Sequence, residues 1–436
     1  MRFNYRIRTF KQWYFIMIVS FASFLCVLLY FLTISVPVVG PFSELSSADP
    51  SNNIYAIIFD GGSTGTRIHV FNFLNNTNNK TRTLSQREHL ILSDEYFQEV
   101  RPGLSSYSEN PHKAAESIVP LLERATQIVP SDKWHKTPVL LKATAGLRLL
   151  PSDSADKILN EVKLLFHNFP FQIREDSVSV MDGEDEGLFA WFTVNFLLDL
   201  LGDENSIATL DLGGGSTQVT FAPNDVKTLV FSPKEYIIKR TIQNESIILY
   251  THSYLGLGLM SARLGILQST TSHKKFEEGH EILNSPCIHP SIKEKWIYGG
   301  KSYLVKGMKS GKYNFDSCYK QAQTFLNMTV DHPVELPKRI IFALSYYFDR
   351  AADMGIIDRQ KGGKLTINEY KKAASKACNK TNLKQAFLCL DSTYIIALLH
   401  HGLGLNMDTE LVLVKKIDGV ETSWGLGAGY SALTQG

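Results

Sequence analysis

Residues 54–73 read IYAIIFDGGSTGTRIHVFNF, and this stretch decides the fold. An unbroken apolar run ends at Asp60 and reads as a buried strand. Small and hydroxyl residues follow, Gly61-Gly62-Ser63-Thr64-Gly65-Thr66, and then Arg67. From there the chain alternates apolar and polar side chains as a second strand, not a helix. A Walker A loop is excluded, because that loop ends in a lysine and opens a helix. The expected structure is a hairpin whose turn presents backbone N–H groups and hydroxyls to an anion.

The stretch has an echo about 150 residues on. Asp211-Leu212-Gly213-Gly214-Gly215-Ser216-Thr217 also follows an apolar strand, 207–210, and precedes an extended segment, 218–221. Two such loops facing each other predict two related lobes gripping a di- or triphosphate, with Asp60 and Asp211 placed to hold a hydrated divalent cation. Four acids, Asp182, Glu184, Asp185 and Glu186, sit where a strand at 178–181 gives way to an apolar helix at 186–201. Phosphoanhydride hydrolysis needs a carboxylate to orient and deprotonate water, and Glu186 beside Gly187 leaves room for one. In LKATAGLRLLP, residues 141–151, Thr144 lies in a small-residue turn after a strand, and Arg148 suits a carboxylate or a phosphate.

The rest of the chain alternates strand and helix patterns and places the protein in the α/β class. Helical spacing marks 112–129, where Pro120 is expected to kink or split the helix. It also marks 154–166, 340–354, 367–377 and 394–401. A chain of 436 residues is long for one core and suits two lobes. Charge is unevenly placed: the net is +2, and Arg2, Arg6, Arg8 and Lys11 precede a stretch without charge from Trp13 to Gly40. The remainder is slightly acidic, which argues against a nucleic-acid partner.

Residues 13–33 are apolar and span one bilayer core as a helix, so a retained signal anchor at 13–35 is expected. The basic tail, 1–12, stays cytoplasmic, and a stalk at 36–53 leads into the luminal side. Four cysteines follow the anchor, Cys287, Cys318, Cys378 and Cys389, in a compartment that permits disulfides. Of three pairings, proximity favours Cys287 with Cys318 and Cys378 with Cys389. Glycosylation sequons at Asn75, Asn79, Asn244, Asn327 and Asn379 agree with a secretory address.

In chain order the motifs are DGGSTGTR, ATAGLR, DGEDEGLFAWFTVN, DLGGGSTQ and WGLGAGY. This series resembles the five conserved regions of the nucleoside triphosphate diphosphohydrolase (NTPDase, apyrase-type) family. YTHSYLGLGLMSAR at 250–263 and LSYYFDRAADMG at 344–355 look like its ER and Golgi nucleoside-diphosphatase branch. The resemblance implies two RNase H-like lobes around a nucleotide cleft, lobe I at 54–180 plus about 425–436 and lobe II at 181–424. It implies Glu186 as catalytic base, with Gln218 and Thr144 around the attacking water. Asp60 and Asp211 would organise Ca²⁺ or Mg²⁺ through water. Ser63, Thr64, Gly65, Thr66 and Arg67 would form the first phosphate loop, and Gly213, Gly214, Gly215, Ser216 and Thr217 the second. Base-stacking aromatics map to Tyr346 or Tyr347 and to Tyr394. The implied substrates are UDP and GDP, with no obligate protein partner. The rival readings are an exopolyphosphatase-type hydrolase and a catalytically silent nucleotide-binding ectodomain.

Overall fold

The first apolar run forms β1 (Asn53–Gly61) and the alternating run forms β2 (Thr66–Asn75). They pair as an antiparallel hairpin in a computed structural model that describes residues 52–75, 90–242, 245–269, 274–308, 313–326, 330–380 and 384–434. The cytoplasmic tail, the anchor and nearly all of the stalk lie outside the described residues, as do all five sequons wholly or in part. Among the described residues no helix is long and apolar enough to cross a membrane.

β3 (Leu90–Val100) pairs antiparallel with the outer edge of β2. On the other side of β1, β4 (Val139–Ala143) and β5 (Val178–Val180) run parallel to it, for a sheet order β3-β2-β1-β4-β5. The echo forms a second hairpin, β6 (Ala208–Leu212) and β7 (Ser216–Phe221). β8 (Ile237–Ile242) and β9 (Glu245–Leu255) extend it on the β7 side. A separate four-stranded sheet holds β10 (Phe276–Glu277), β11 (His280–Ser285), β12 (Lys293–Tyr298) and β13 (Lys301–Gly307). β14 (Ile341–Ser345), β15 (Gly363–Thr366) and β16 (Glu410–Leu413) complete the larger sheet, in the order β15-β16-β14-β6-β7-β9-β8. Within it, β9-β7-β6-β14-β16 repeats β3-β2-β1-β4-β5 in both order and strand direction.

Eleven helices join these strands among the described residues: α1 (Pro111–Ile128), α2 (Ala145–Arg148), α3 (Ser152–Phe166), α4 (Gly183–Leu197), α5 (Val226–Phe231), α6 (Leu259–Ser269), α7 (Phe315–Phe325), α8 (Tyr346–Asp353), α9 (Ile367–Cys378), α10 (Leu388–Ile396) and α11 (Gly425–Thr434). β1 is apolar from Ile54 to Phe59 because both of its faces are covered there. Ile57 and Phe59 pack with Ile118, Leu122 and Phe166 of α1 and α3. Ile58, one step out of phase, packs with Trp191 of α4 and Tyr430 of α11 on the opposite face. The second sheet buries Leu210 and Leu212 against α6, α9 and α10. Trp191 is fully buried, and its indole N–H donates to Ile207 O at 2.8 Å, so truncation to Ala removes about 3–5 kcal/mol of packing.

Both expected disulfides are present, Cys287–Cys318 and Cys378–Cys389, each with Cα atoms 4.7 Å apart. Two local expectations are narrowed. Helix α1 is not split at Pro120 and runs from Pro111 to Ile128. The carbonyl that proline leaves unbonded belongs to Glu116, and both residues face water, while Ile118, Leu121 and Leu122 hold the two halves on one core. The helix expected at 340–354 is instead strand β14 followed by helix α8, with the change of direction at Ser345, whose φ is 56°.

Candidate active site

The cleft opens where the two hairpins turn. Register places Asp60 opposite Arg67 in the first and Asp211 opposite Gln218 in the second, seven residues on in both cases. The loops meet across the cleft: a Cβ added to Gly214 would run into the Ser63 hydroxyl and stand within van der Waals reach of Thr64, which puts the two turns in direct contact. The cavity measures about 780 Å³, within the size range of small-molecule sites. Asp60, Ser63, Thr64, Arg67, Thr144, Glu186, Asp211, Gly213, Gly214, Gly215, Ser216 and Tyr346 all line it.

The four clustered acids separate into different tasks. Asp182 caps α4, accepting from Glu184 N at 2.9 Å. Glu184 faces His252 at 3.6 Å, and Asp185 faces Arg240 at 3.6 Å. Glu186 alone lines the cleft. Its helix lies close on β7 and β9, because a Cβ at Gly187 would stand 2.6 Å from Thr220 Oγ1. Burial pushes the Glu186 carboxyl up to about 8; Arg148 opposes the shift, while Asp211 and Asp60 add to it. Arg148 donates to Glu186 and also to Ser216 Oγ at 3.3 Å. Gln218 Nε2 donates to Ser216 Oγ at 2.8 Å and to Ser253 Oγ at 3.0 Å. Glu186, Arg148, Ser216 and Gln218 are thus one connected network. Gln218 Oε1 stays buried with no donor among the described residues, an acceptor that suits a water.

Asp60 and Asp211 carry the matching feature: Oδ1 of each is buried and accepts no hydrogen bond from the described residues. Burial lifts the Asp211 carboxyl to about 6, against a hydrogen bond from Ser345 and with Asp60 adding to the rise. Bare carboxylate oxygens fit a hard divalent cation. Among the described residues no cluster of three or more His, Cys, Asp or Glu forms a cage for a metal. Asp60 and Asp211 would hold a divalent cation through these oxygens only if water or substrate supplied the other ligands.

Thr144 N donates to Gly61 O at 3.2 Å, which locks the β4–α2 turn against the first loop. Arg67 is clasped by Asp60 at 2.8 Å and Glu99 at 3.0 Å, so it orients Asp60 as well as walling the cleft. Some expected phosphate-loop residues stand behind the surface. Thr66 and Thr217 begin or continue strands and point into the core; both are fully buried, and Thr217 Oγ1 donates to Asp211 O at 2.9 Å. Gly65 backs onto the Glu99 side chain and does not line the cavity.

The expected base-stacking set also needs correction. Tyr347 and Tyr394 are completely buried, and Tyr394 donates its hydroxyl to Leu257 O. Neither offers a ring face to a ligand. Tyr346 does, being half-buried on the cleft wall with the Arg350 guanidinium 5.7 Å from its ring centre. Sequence reasoning missed Ser345, which ends β14 in the cleft. It also missed the stacked Trp296 and Tyr298 of β12, whose ring centres lie 5.5 Å apart at the mouth. A left-handed serine has no sequence signal, and the β12 aromatics reach the cleft only through tertiary packing.

Known proteins place this geometry. The profile of the GDA1/CD39 (nucleoside phosphatase) family matches residues 46–434. The chain is 42% identical over 398 residues to human "Nucleoside diphosphate phosphatase ENTPD5", covering 89% of this chain and 90% of that protein. It is 42% identical over 388 residues to human "Ectonucleoside triphosphate diphosphohydrolase 6", covering 88% and 78%. The chicken (Gallus gallus) "Ectonucleoside triphosphate diphosphohydrolase 5" is 42% identical, with 88% of both chains covered. A crystal structure of nucleoside triphosphate hydrolases from Neospora caninum superposes with a TM-score of 0.60 at 16% identity, over 86% of this chain and 91% of that one, a likeness of fold. This chain belongs to the GDA1/CD39 family of nucleoside phosphatases.

Proposed function

We propose that the chain is a membrane-anchored, luminal nucleoside diphosphatase that converts UDP and GDP to the monophosphate and phosphate. The observation that carries this reading is the cleft itself. Two copies of one hairpin turn each leave a buried aspartate oxygen without a donor among the described residues, and buried Glu186 lines the cleft beside them, joined to Gln218 through Arg148 and Ser216. The similarity to a human protein named for nucleoside diphosphate phosphatase activity supports the substrate class. The repeated strand order supports two RNase H-like lobes closing on a nucleotide. The N-terminal apolar run, 13–35, and the paired cysteines support a secretory-pathway lumen, where such an enzyme would clear the diphosphates left by glycosyl transfer.

Chemistry follows from the side chains. A water donates one hydrogen bond to Glu186 and one to Gln218 Oε1, which turns its lone pair toward the terminal phosphorus. Glu186 takes the proton as the new P–O bond forms, and the bridging P–O bond breaks to release the monophosphate. Backbone N–H groups of the two turns, with Ser63, Thr64 and Ser216, stabilise charge on the equatorial oxygens. Ca²⁺ or Mg²⁺ held by Asp60 and Asp211 would add charge neutralisation at the phosphates. No covalent enzyme intermediate is required.

The test is phosphate release from UDP, GDP, ADP, UTP, ATP and polyphosphate by the full chain, with Ca²⁺, Mg²⁺ or EDTA, beside Glu186→Ala. Metal-dependent release from UDP or GDP, lost by several orders of magnitude in the variant, is expected. Nucleotide binding without phosphate release would refute the enzyme reading.

A further inference from the structure

Among the described residues five cationic side chains line the cleft: Arg67, Arg101, Arg263, Arg350 and Lys415. Four are bound to carboxylates. Arg67 pairs with Asp60 at 2.8 Å, Arg101 with Glu99 at 3.1 Å, Arg263 with Asp391 at 2.6 Å and Arg350 with Asp353 at 3.1 Å. Lys415 forms no ion pair among the described residues. Its neighbour Lys416 does, with Glu421 at 3.6 Å. Asp349 and Glu421 are within electrostatic reach of Lys415 but make no ion pair with it. An exposed ammonium on a cleft wall whose other cations are engaged is the one free to meet an anion from solution.

Its place in the sheet says which anion. Lys415 follows the end of β16 by two residues, at the same end of the sheet as Asp211 and Ser345. Strand order there is β16-β14-β6-β7-β9. Gln218 stands on β7, and Glu186 on the helix packed over β7 and β9. Asp211 stands in the middle, on β6. Lys415 therefore enters from three strands beyond Gln218, roughly 14 Å at the usual strand spacing. In a displacement at phosphorus the attacking and departing oxygens lie on opposite sides. With the attacking water on the β7 side, the departing oxygen lies on the side away from β7, and Lys415 is the cation that enters from beyond β16.

We propose that Lys415 binds the non-scissile phosphate of a nucleoside diphosphate and neutralises the charge that grows on the departing monophosphate. This rests on the diphosphatase reading above and assigns one substrate contact within it. A charged hydrogen bond to phosphate at this position strengthens as the bridging bond breaks, so both substrate affinity and turnover depend on it.

The experiment uses the full chain and its Lys415→Gln and Lys415→Arg variants. UDP hydrolysis, inhibition by UMP and by inorganic phosphate, direct UMP binding by calorimetry, and thermal melting are measured for each. Lys415→Gln should lower kcat/KM for UDP by about tenfold or more and weaken UMP by a similar factor. Inorganic phosphate, which occupies the scissile position, should be unaffected, Lys415→Arg should recover most of the loss, and melting should not change. A kcat/KM within about twofold of the parent overturns the assignment, since a charged hydrogen bond contributes more than that. So does a loss that falls on inorganic phosphate as much as on UMP, which would put the ammonium on the scissile group or in the general field of the cleft. A parent that releases no phosphate from any nucleoside diphosphate fails the diphosphatase reading, and UMP calorimetry then still decides whether Lys415 holds the nucleotide's phosphate.

Discussion

Arg148→Met should move the pH profile of the enzyme further to the alkaline side. Glu186 lies in a site that already drives its carboxyl up to about 8, and Arg148 is the cation that restrains it. The two side chains are 15% and 9% exposed, so solvent screens the pair little. A hydrogen bond between charged groups contributes about 1.5–3 kcal/mol. At 1.36 kcal/mol per pKa unit, its loss raises the Glu186 carboxyl by about 1–2 units. Asp60 and Asp211, which push in the same direction, remain in place, as do any cation and phosphate, so the difference between variant and parent isolates Arg148. The acid limb of kcat/KM, which reports the free enzyme, should move up by the same 1–2 units. Activity at pH 7 should fall about 10–100-fold and return as pH approaches 10. Stopped-time phosphate release from UDP across pH 6–10 measures this, with Arg148→Lys as the charge-retaining comparison. A variant whose profile superimposes on the parent's after a uniform scaling would refute the reasoning, and Arg148 would then act on geometry or substrate alone.

Glu186→Gln should raise the melting temperature of metal-free protein. The folded carboxyl is raised from 4.5 to about 8, so its ionisation costs nothing below the unfolded value and is fully felt above about 8, with an upper bound of about 5 kcal/mol. Scanning calorimetry should show a larger gain at pH 8 than at pH 5; equal melting at both would contradict the burial argument. Tyr346→Ala should weaken nucleoside diphosphate binding by roughly tenfold through lost stacking, while Tyr394→Phe should leave KM alone and lower stability by removing the hydrogen bond to Leu257 O. Replacing both cysteines of Cys287–Cys318, which closes 31 residues, should cost about 4 kcal/mol in urea unfolding, against about 3 for Cys378–Cys389, which closes 11. A larger loss from the shorter loop would show that packing, not chain entropy, dominates.

Much of the site was legible because its signals are local. An apolar run, an aspartate and a glycine-rich turn specify a hairpin from neighbouring residues alone, and the repeat at Asp211 pointed to a second sheet of the same kind. Glu186 stood out because acids at a helix start are visible in sequence and Gly187 beside it leaves room for a water, and the side of α4 that meets β7 explains why Glu184 and Asp185 do not line the cleft. The tyrosines were not legible. Tyr346 and Tyr347 are adjacent, and only the turn at Ser345 decides that one faces the cleft while the other enters the core. Pro120 misled for a related reason: its cost depends on whether the orphaned carbonyl meets water, which tertiary structure determines. Arg67 was read as a phosphate ligand, and its clasp depends on Glu99, thirty-two residues away on β3.

The two hairpins share a backbone plan but not a charge plan. Opposite the aspartate stands an arginine in the first copy and a neutral amide in the second. A cleft built from two true equivalents would accept a phosphate chain in either sense, because each end would meet the same groups. Here the second copy leaves a buried, uncharged acceptor, Gln218 Oε1, in the network that joins it to Glu186, while the first fixes its aspartate with a permanent cation. Divergence at this cross-strand position gives an otherwise pseudosymmetric cleft a polarity of charge, with the permanent cation on one side only.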